Sequence, residues 1–292
     1  MKTLRVATCQ FAVEGEVARN RAEILKLIEQ AGRQKADIAH LSETCLTGYP
    51  GVDLEDLSST DWNEVVSATR DIQAAAKKWK VWVLLGSSHP LSGGLKPHNS
   101  VYVINAKGQI VDRYDKRFCT GKGGKRSTLD LAHYSPGNRF TTFRVKGFTC
   151  GILICYDYRF PELYREYKKL GVEALFQSFH NARTMPVKDQ KYDIWRTIVP
   201  ATMSCRAAEN HFWVSANNSQ AKPSRWASFA VRPDGQIVGQ LKLHRSDVLI
   251  TDMVMDPDLY DAPGLWRDRA MNGTLHSGDL VADARSLDRT CL

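Results

Sequence analysis

The stretch Phe148-Thr149-Cys150-Gly151-Ile152-Leu153-Ile154-Cys155-Tyr156-Asp157-Tyr158-Arg159-Phe160-Pro161-Glu162 runs from an apolar, β-prone segment straight into a helix start. Pro161 suits the first helical turn, where its missing N–H would have no partner, and Glu162 is favoured near the positive end of the helix dipole. The local order is therefore strand, cysteine, short turn, helix. At such a corner, free backbone N–H groups and the dipole favour a thiolate, which makes Cys155 a candidate nucleophile. Alone, Cys155 reads as readily as a small core residue, because free cysteines are among the most buried residue types.

Upstream, Leu4 to Phe11 reads as a strand, Arg19 to Lys35 as an amphipathic helix with Ala22, Leu25 and Ile28 on one face, and Asp37 to Ser42 as a second strand. A helix over Trp62 to Trp79 then precedes the apolar strand Val81 to Ser88. Asn99 to Ile104 and Gln109 to Tyr114 form a hairpin across Asn105-Ala106-Lys107-Gly108. After a loop rich in glycine and charge, Thr141 to Val145 and Phe148 to Ile154 are joined by Lys146-Gly147. Downstream come a helix near Pro161 to Leu170, a strand Ala174 to Ser178, a helix near Lys191 to Asn210 and a strand Phe212 to Asn217. A hairpin of Ser228 to Arg232 with Gln236 to Leu241 closes this half through Pro233-Asp234-Gly235. The two halves share one order, α/β units followed by a hairpin, and no linker parts them. One domain of two packed mixed sheets with outer helices is expected, an α/β architecture. The tail from Ala262 to Leu292 lacks clear periodicity.

Composition bounds the partners. With 43% hydrophobic and 25% charged residues, the 292-residue chain is that of an ordinary globular protein with a sizeable core. Met1 to Phe11 lacks a signal-peptide pattern, and no apolar run approaches the ~20 residues of a membrane span, so the cytoplasm and no membrane are expected. Seven cysteines (Cys9, Cys45, Cys119, Cys150, Cys155, Cys205, Cys291) are scattered and odd in number, which argues against a disulfide framework and a structural zinc site. The net charge of +8 comes mostly from basic residues interleaved with acids, as on solvated helix faces. Its densest cluster, Lys116, Arg117, Lys122, Lys125 and Arg126, has no aromatic stacking platform beside it, so an anionic small substrate is expected there rather than nucleic acid.

Two more positions raise the standing of Cys155. Glu43 ends the strand Asp37 to Ser42, and Lys116 lies just past the strand Gln109 to Tyr114. In α/β sheets, sites gather beyond the carboxyl ends of strands, where Cys155 also lies. A buried carboxylate can take a thiol proton and return it to a leaving amine, while a cation stabilises the oxyanion of a tetrahedral intermediate. Together they can transfer acyl groups without histidine.

Leu41-Ser42-Glu43-Thr44, Tyr114-Asp115-Lys116-Arg117-Phe118 and Ile154 to Glu162 resemble, in order, the three catalytic blocks of the nitrilase superfamily of carbon–nitrogen hydrolases. The likeness extends from Val6-Ala7-Thr8-Cys9-Gln10 to Pro233-Asp234-Gly235. It implies a four-layer αββα sandwich over residues 1–262, with residues 263–292 as a tail packing on the domain or on a partner subunit. It also implies a homodimer or higher homo-oligomer that needs no metal or organic cofactor. Glu43 would be general base, Lys116 oxyanion stabiliser and Cys155 nucleophile, with the Tyr156 backbone N–H as second oxyanion donor.

The sequence departs from the family pattern where many members carry a further glutamate. That segment reads Asp130-Leu131-Ala132-His133-Tyr134-Ser135-Pro136-Gly137, so Asp130 and His133 are candidates for its role. Ser178-Phe179-His180-Asn181-Ala182-Arg183 falls where the family lines its pocket, making His180, Asn181 and Arg183 candidates for substrate binding. Arg183, Lys125 and Arg126 suit a substrate carboxylate. True nitrilases resemble Cys-Trp-Glu at the nucleophile, whereas this chain has Cys155-Tyr156-Asp157, which favours amides or N-carbamoyl compounds over nitriles. The alternatives are nitrile hydrolysis and a catalytically silent binding protein of the same fold.

Overall fold

Short apolar segments alternating with amphipathic helices dictate the frame, and a computed structural model describes it for residues 2–124, 126–183 and 193–290. Lys125, Cys291 and Lys191 lie outside the described residues. The first sheet contains β1 (Thr3–Gln10), β2 (Ile38–His40), β3 (Trp82–His89), β4 (His98–Ile104), β5 (Ile110–Asp115) and, from far along the chain, β12 (Asp247–Val254). The second contains β6 (Thr142–Val145), β7 (Phe148–Ile154), β8 (Ala174–Phe179), β9 (Trp213–Asn218), β10 (Phe229–Val231) and β11 (Ile237–Gln240). Their orders are β12-β1-β2-β3-β4-β5 and β11-β10-β9-β8-β7-β6.

In each sheet three central strands run parallel, β1-β2-β3 and β7-β8-β9. Antiparallel neighbours flank them: β12 and the β4-β5 hairpin in one, β6 and the β10-β11 hairpin in the other. The repeated order expected from the sequence is thus a repeated topology, with β12 completing the first sheet as β6 completes the second. β12 itself was not among the expected strands. Its burial is irregular along its length, so it carries no clean alternation to read.

Helices α1 (Val17–Arg33) and α2 (Trp62–Trp79) cover the first sheet, packing Ile24, Leu27, Ile28, Ile72 and Ala76 with Ala7, Cys9, Val83 and Leu85. The buried stripe of α1 is displaced from the expected one: Ala22 is exposed and Leu25 half-buried. Asp61 caps α2 by accepting from the N–H groups of Asn63 and Glu64. Along β3, Leu84 joins the other core while Val83 and Leu85 face the helices, so both faces are buried and the run is continuously apolar. That other core unites Leu4, Val6, Val101 and Val103 with Ile152, Ile154 and Phe176. It continues to Leu163, Tyr164 and Tyr167 of α4 (Pro161–Lys169) and Val199, Met203 and Ala207 of α5 (Trp195–Asn210). A short α3 (Asp130–His133) lies between β5 and β6.

The chain divides into compact units Met1–Asp261 and Ala262–Leu292. The second unit holds α6 (Gly264–Met271) and α7 (Ala284–Leu287), where no helix was expected; α6 lacks an apolar face, with Leu265 89% exposed. Among the described residues no helix is long and apolar enough to cross a membrane.

Directional bonds lock the sheets together. His40 bonds Ser215 Oγ through Nδ1 at 2.8 Å and Ser178 Oγ through Nε2 at 3.0 Å, and Thr8 Oγ1 meets Ser215 Oγ at 2.7 Å. Asn217 donates to the carbonyls of Cys9 and His40. Burial pulls the His40 pKa down to about 3, so the ring is neutral and fits this network. Gly86 in β3 leaves room for the chain after β2: a Cβ there would meet the Ser42 carbonyl oxygen at 2.0 Å and the Thr44 nitrogen at 2.8 Å. Backbone cannot step aside as a flexible side chain can. Gly86→Ala is expected to cost about 3 kcal/mol of stability, read by denaturant titration, and to lower turnover further by displacing Glu43.

Candidate active site

Three strand ends deliver the site. Glu43 follows β2, Lys116 follows β5 and Cys155 follows β7, so two residues come from one sheet and the third from the other. Glu43 and Lys116 are wholly buried, Asp130 is 2% exposed, and Cys155 is half-buried. The Glu43 N–H donates to the Phe179 carbonyl at 3.3 Å, tying this strand end to β8. The Lys116 N–H donates to the Asn99 carbonyl and its own carbonyl accepts from Gly137, both at 2.8 Å.

Lys116 Nζ donates to Glu43 Oε1 and to Asp130 Oδ2, each at 2.7 Å. Asp130 also accepts from the Tyr49 hydroxyl and from the Thr120 N–H at 3.0 Å. Burial alone would strip the Lys116 proton, yet Glu43, Tyr49 and Asp130 outweigh it and hold its pKa well above the ordinary value. Asp130, despite burial, is held below the usual carboxylate range by Lys116 and its hydrogen bonds. An ammonium between two carboxylates is thus the ground state.

Cys155 has φ +40°, a left-handed conformation rare outside glycine, at the head of a 3-10 turn over Cys155–Arg159. This bend turns the chain off β7 and leaves the Tyr156 N–H in a first helical turn, where such groups have no intrahelical partner. Burial and then the charge of Glu43 push the thiol pKa well above its ordinary value; Lys116 opposes them, Asp130 adds to them, and the His180 N–H bonded to sulfur lowers it only in part.

Asp157 joins the loops that follow β5 and β7. Its carboxylate accepts from the Phe118 N–H at 2.8 Å, the Ile154 N–H at 3.1 Å and the Tyr114 hydroxyl at 2.9 Å. The chain after Lys116 is thereby fixed to the turn that carries Cys155.

The remaining candidates divide. Asp130 stands at Lys116, whereas His133, at the far end of α3, lines a surface groove with Trp62, Pro90 and Pro97 and is not part of the cluster. His180 is buried and stacks on Tyr49, centroids 5.0 Å apart, with Nε2 3.1 Å from Asp53 Oδ2. Arg183 Nε donates to Asp53 Oδ1 at 2.8 Å, and Asp53 Oδ2 accepts from the Tyr49 N–H at 2.9 Å. Asn181 donates its N–H to Asn218 Oδ1 at 2.7 Å, while its own Oδ1 is buried without a hydrogen-bond partner among the described residues. Arg126 is exposed. Sequence reasoning missed Tyr49, Asp53 and Asn99; Asn99 stands among polar residues, His98 and Ser100, at the start of its strand, so nothing local singled it out.

The sequence matches the carbon-nitrogen hydrolase family over residues 5–257. The chain belongs to that family. Among curated relatives of this carbon-nitrogen hydrolase, the omega-amidase of Mus musculus is 27% identical, with 82% of this chain and 84% of the relative covered. The 2-oxoglutaramate amidase of Bacillus subtilis is 29% identical over 73% of this chain and 75% of its own length. The nitrilase-superfamily fold is shared with an amidase from Nesterenkonia sp., at TM-score 0.73 and 20% identity, covering 92% of this chain and 97% of that one. In a variant of that amidase, the acetamide moiety of fluoroacetamide is covalently added at the active-site cysteine.

Burial raises the Asp157 pKa to about 6, against the lowering effect of the Phe118 and Ile154 N–H groups. The folded carbon-nitrogen hydrolase therefore binds a proton that the unfolded chain has lost between pH ~4 and ~6. That contribution to stability is complete below the unfolded value and disappears as pH rises through the folded one. Asp157→Asn turns an amide NH2 toward one of three donors and is expected to be less stable at pH 4; its deficit in melting temperature should narrow as pH rises to 6. A deficit constant across that window would contradict the protonated carboxyl.

Proposed function

We propose that the chain is an amidase that cleaves the non-peptide C–N bond of a small amide or N-carbamoyl compound through a thioester on Cys155. One observation carries the reading: Lys116 Nζ is held 2.7 Å from both Glu43 and Asp130 beside a half-buried cysteine on a strained bend. Glu43 takes the Cys155 proton as sulfur attacks the carbonyl carbon. The C=O electron pair moves to oxygen, which Lys116 and the Tyr156 N–H stabilise. Collapse expels ammonia or an amine carrying the proton from Glu43. Water then attacks the thioester, giving a proton to Glu43, and the acid leaves as the thiol is restored. Because the resting thiol is neutral, proton transfer accompanies attack.

Asp130 acts as the orienting carboxylate for Lys116. His180 and Asn181 flank the acyl group, and Arg183, fixed by Asp53, is the candidate cation for a substrate carboxylate. Relatives named for omega-amide and 2-oxoglutaramate hydrolysis favour amides over nitriles. Assembly as a homodimer belongs to the same reading, and sedimentation velocity tests it.

Ammonia release is measured across simple amides, ω-amides of dicarboxylic acids, N-carbamoyl amino acids and nitriles. Amide or N-carbamoyl turnover that falls at least about 10³-fold in Cys155→Ala is expected, together with an acyl adduct on Cys155 by mass spectrometry. Turnover surviving that substitution, or nitriles leading the panel in kcat/KM, would overturn the reading.

A further inference from the structure

The two oxygens of Glu43 are in unlike surroundings. Oε1 accepts from Lys116 Nζ at 2.7 Å and from Asn99 Nδ2 at 2.8 Å, whereas Oε2 is buried without a hydrogen-bond partner among the described residues. Asn99 lies in β4, wholly buried, and its backbone carbonyl accepts the Lys116 N–H at 2.8 Å. One residue therefore grips Glu43 by its side chain and Lys116 by its backbone.

The orientation of this amide follows from chemistry. An ionised carboxylate offers only acceptors, so the NH2 must face Glu43. The amide oxygen is then left buried without a hydrogen-bond partner among the described residues. An apolar residue of similar volume would pack here without stranding an acceptor. The site tolerates that strain in its polar accounting, and what it gains is a second donor on Oε1.

Resting on Glu43 as the base, we propose that Asn99 is a positioning residue for proton transfer. With Lys116 it saturates Oε1, so that Oε2 is the oxygen that takes the thiol proton. It acts through Glu43 and touches no substrate. Removing its donor leaves Glu43 free to rotate and, because a hydrogen bond to the charged form is lost, makes the carboxylate more basic. The acid limb of the rate profile then moves to higher pH.

The test compares Asn99→Ala, Asn99→Ser, which keeps a shorter donor, and Asn99→Asp, which keeps the volume but replaces the donor with a second carboxyl. Glu43→Gln is the control. Readouts are kcat and KM against pH on an amide the wild type hydrolyses, and the pH dependence of Cys155 alkylation by iodoacetamide. Asn99→Ala is expected to lower kcat about 10- to 100-fold with KM within about twofold, and to raise the acid limb of both profiles by roughly half to one pH unit. Asn99→Ser should recover part of the loss. If Asn99→Ala does not fold, the isosteric Asn99→Asp decides, and it too should raise the acid limb. A folded Asn99→Ala or Asn99→Asp with an unmoved acid limb and near wild-type kcat overturns the proposal. If Glu43→Gln is inactive while Asn99→Ala behaves as wild type, only the role of Asn99 fails. If Glu43→Gln turns over normally, the base assignment itself fails.

Discussion

The site depends on the register between two sheets, because Glu43 and Lys116 leave one and Cys155 the other. Apolar contact between sheet faces is non-directional and cannot by itself fix that register to the fraction of an ångström that proton transfer needs. The buried polar bonds can. His40 reaches Ser178 and Ser215, Asn217 reaches the carbonyls of Cys9 and His40, and Asp157 binds the loops after β5 and β7. Each such bond stabilises the fold by only about 1 kcal/mol net, yet leaving one buried partner unmatched costs about 1–3 kcal/mol. A slipped register would strand several at once, so these bonds act as specificity for one alignment more than as raw stability.

The same burial governs the chemistry. Lys116, out of water, keeps its proton because Glu43, Tyr49 and Asp130 surround it. With two carboxylates near one ammonium, the cluster repels a further negative charge, and Cys155 remains a thiol. A protonated sulfur reacts slowly with stray electrophiles and oxidants.

Much of this was legible locally. The strand-to-helix corner at Cys155, the hairpin turns at Lys146-Gly147 and Pro233-Asp234-Gly235, and the bounds of α2 all follow from patterns within a few residues. What escaped depends on distant convergence. β12 pairs with β1 from across the whole domain and is half-exposed, so neither neighbours nor periodicity announce it. Asp130 and His133 were equivalent by composition; only the fold, which puts one at Lys116 and the other at a surface groove, separates them.

Backbone strain links fold to function at this edge. Thr44, Cys155 and Arg183, none of them glycine, all have positive φ, at 47°, 40° and 52°, and each follows a strand that ends at the site. Left-handed conformations of such residues cost about 1–3 kcal/mol each and persist only where the surroundings over-determine them. Here the determinants are visible: the Glu43 N–H on Phe179, the Ile154 N–H on Asp157, and the Arg183 guanidinium on Asp53. The strain is therefore met by packing and bonding before any substrate arrives. A thiol on a regular strand would point out of one face of the sheet. Held at φ +40°, Cys155 stands at the head of its turn immediately before Tyr156, so the sulfur and the Tyr156 N–H are carried by one bend.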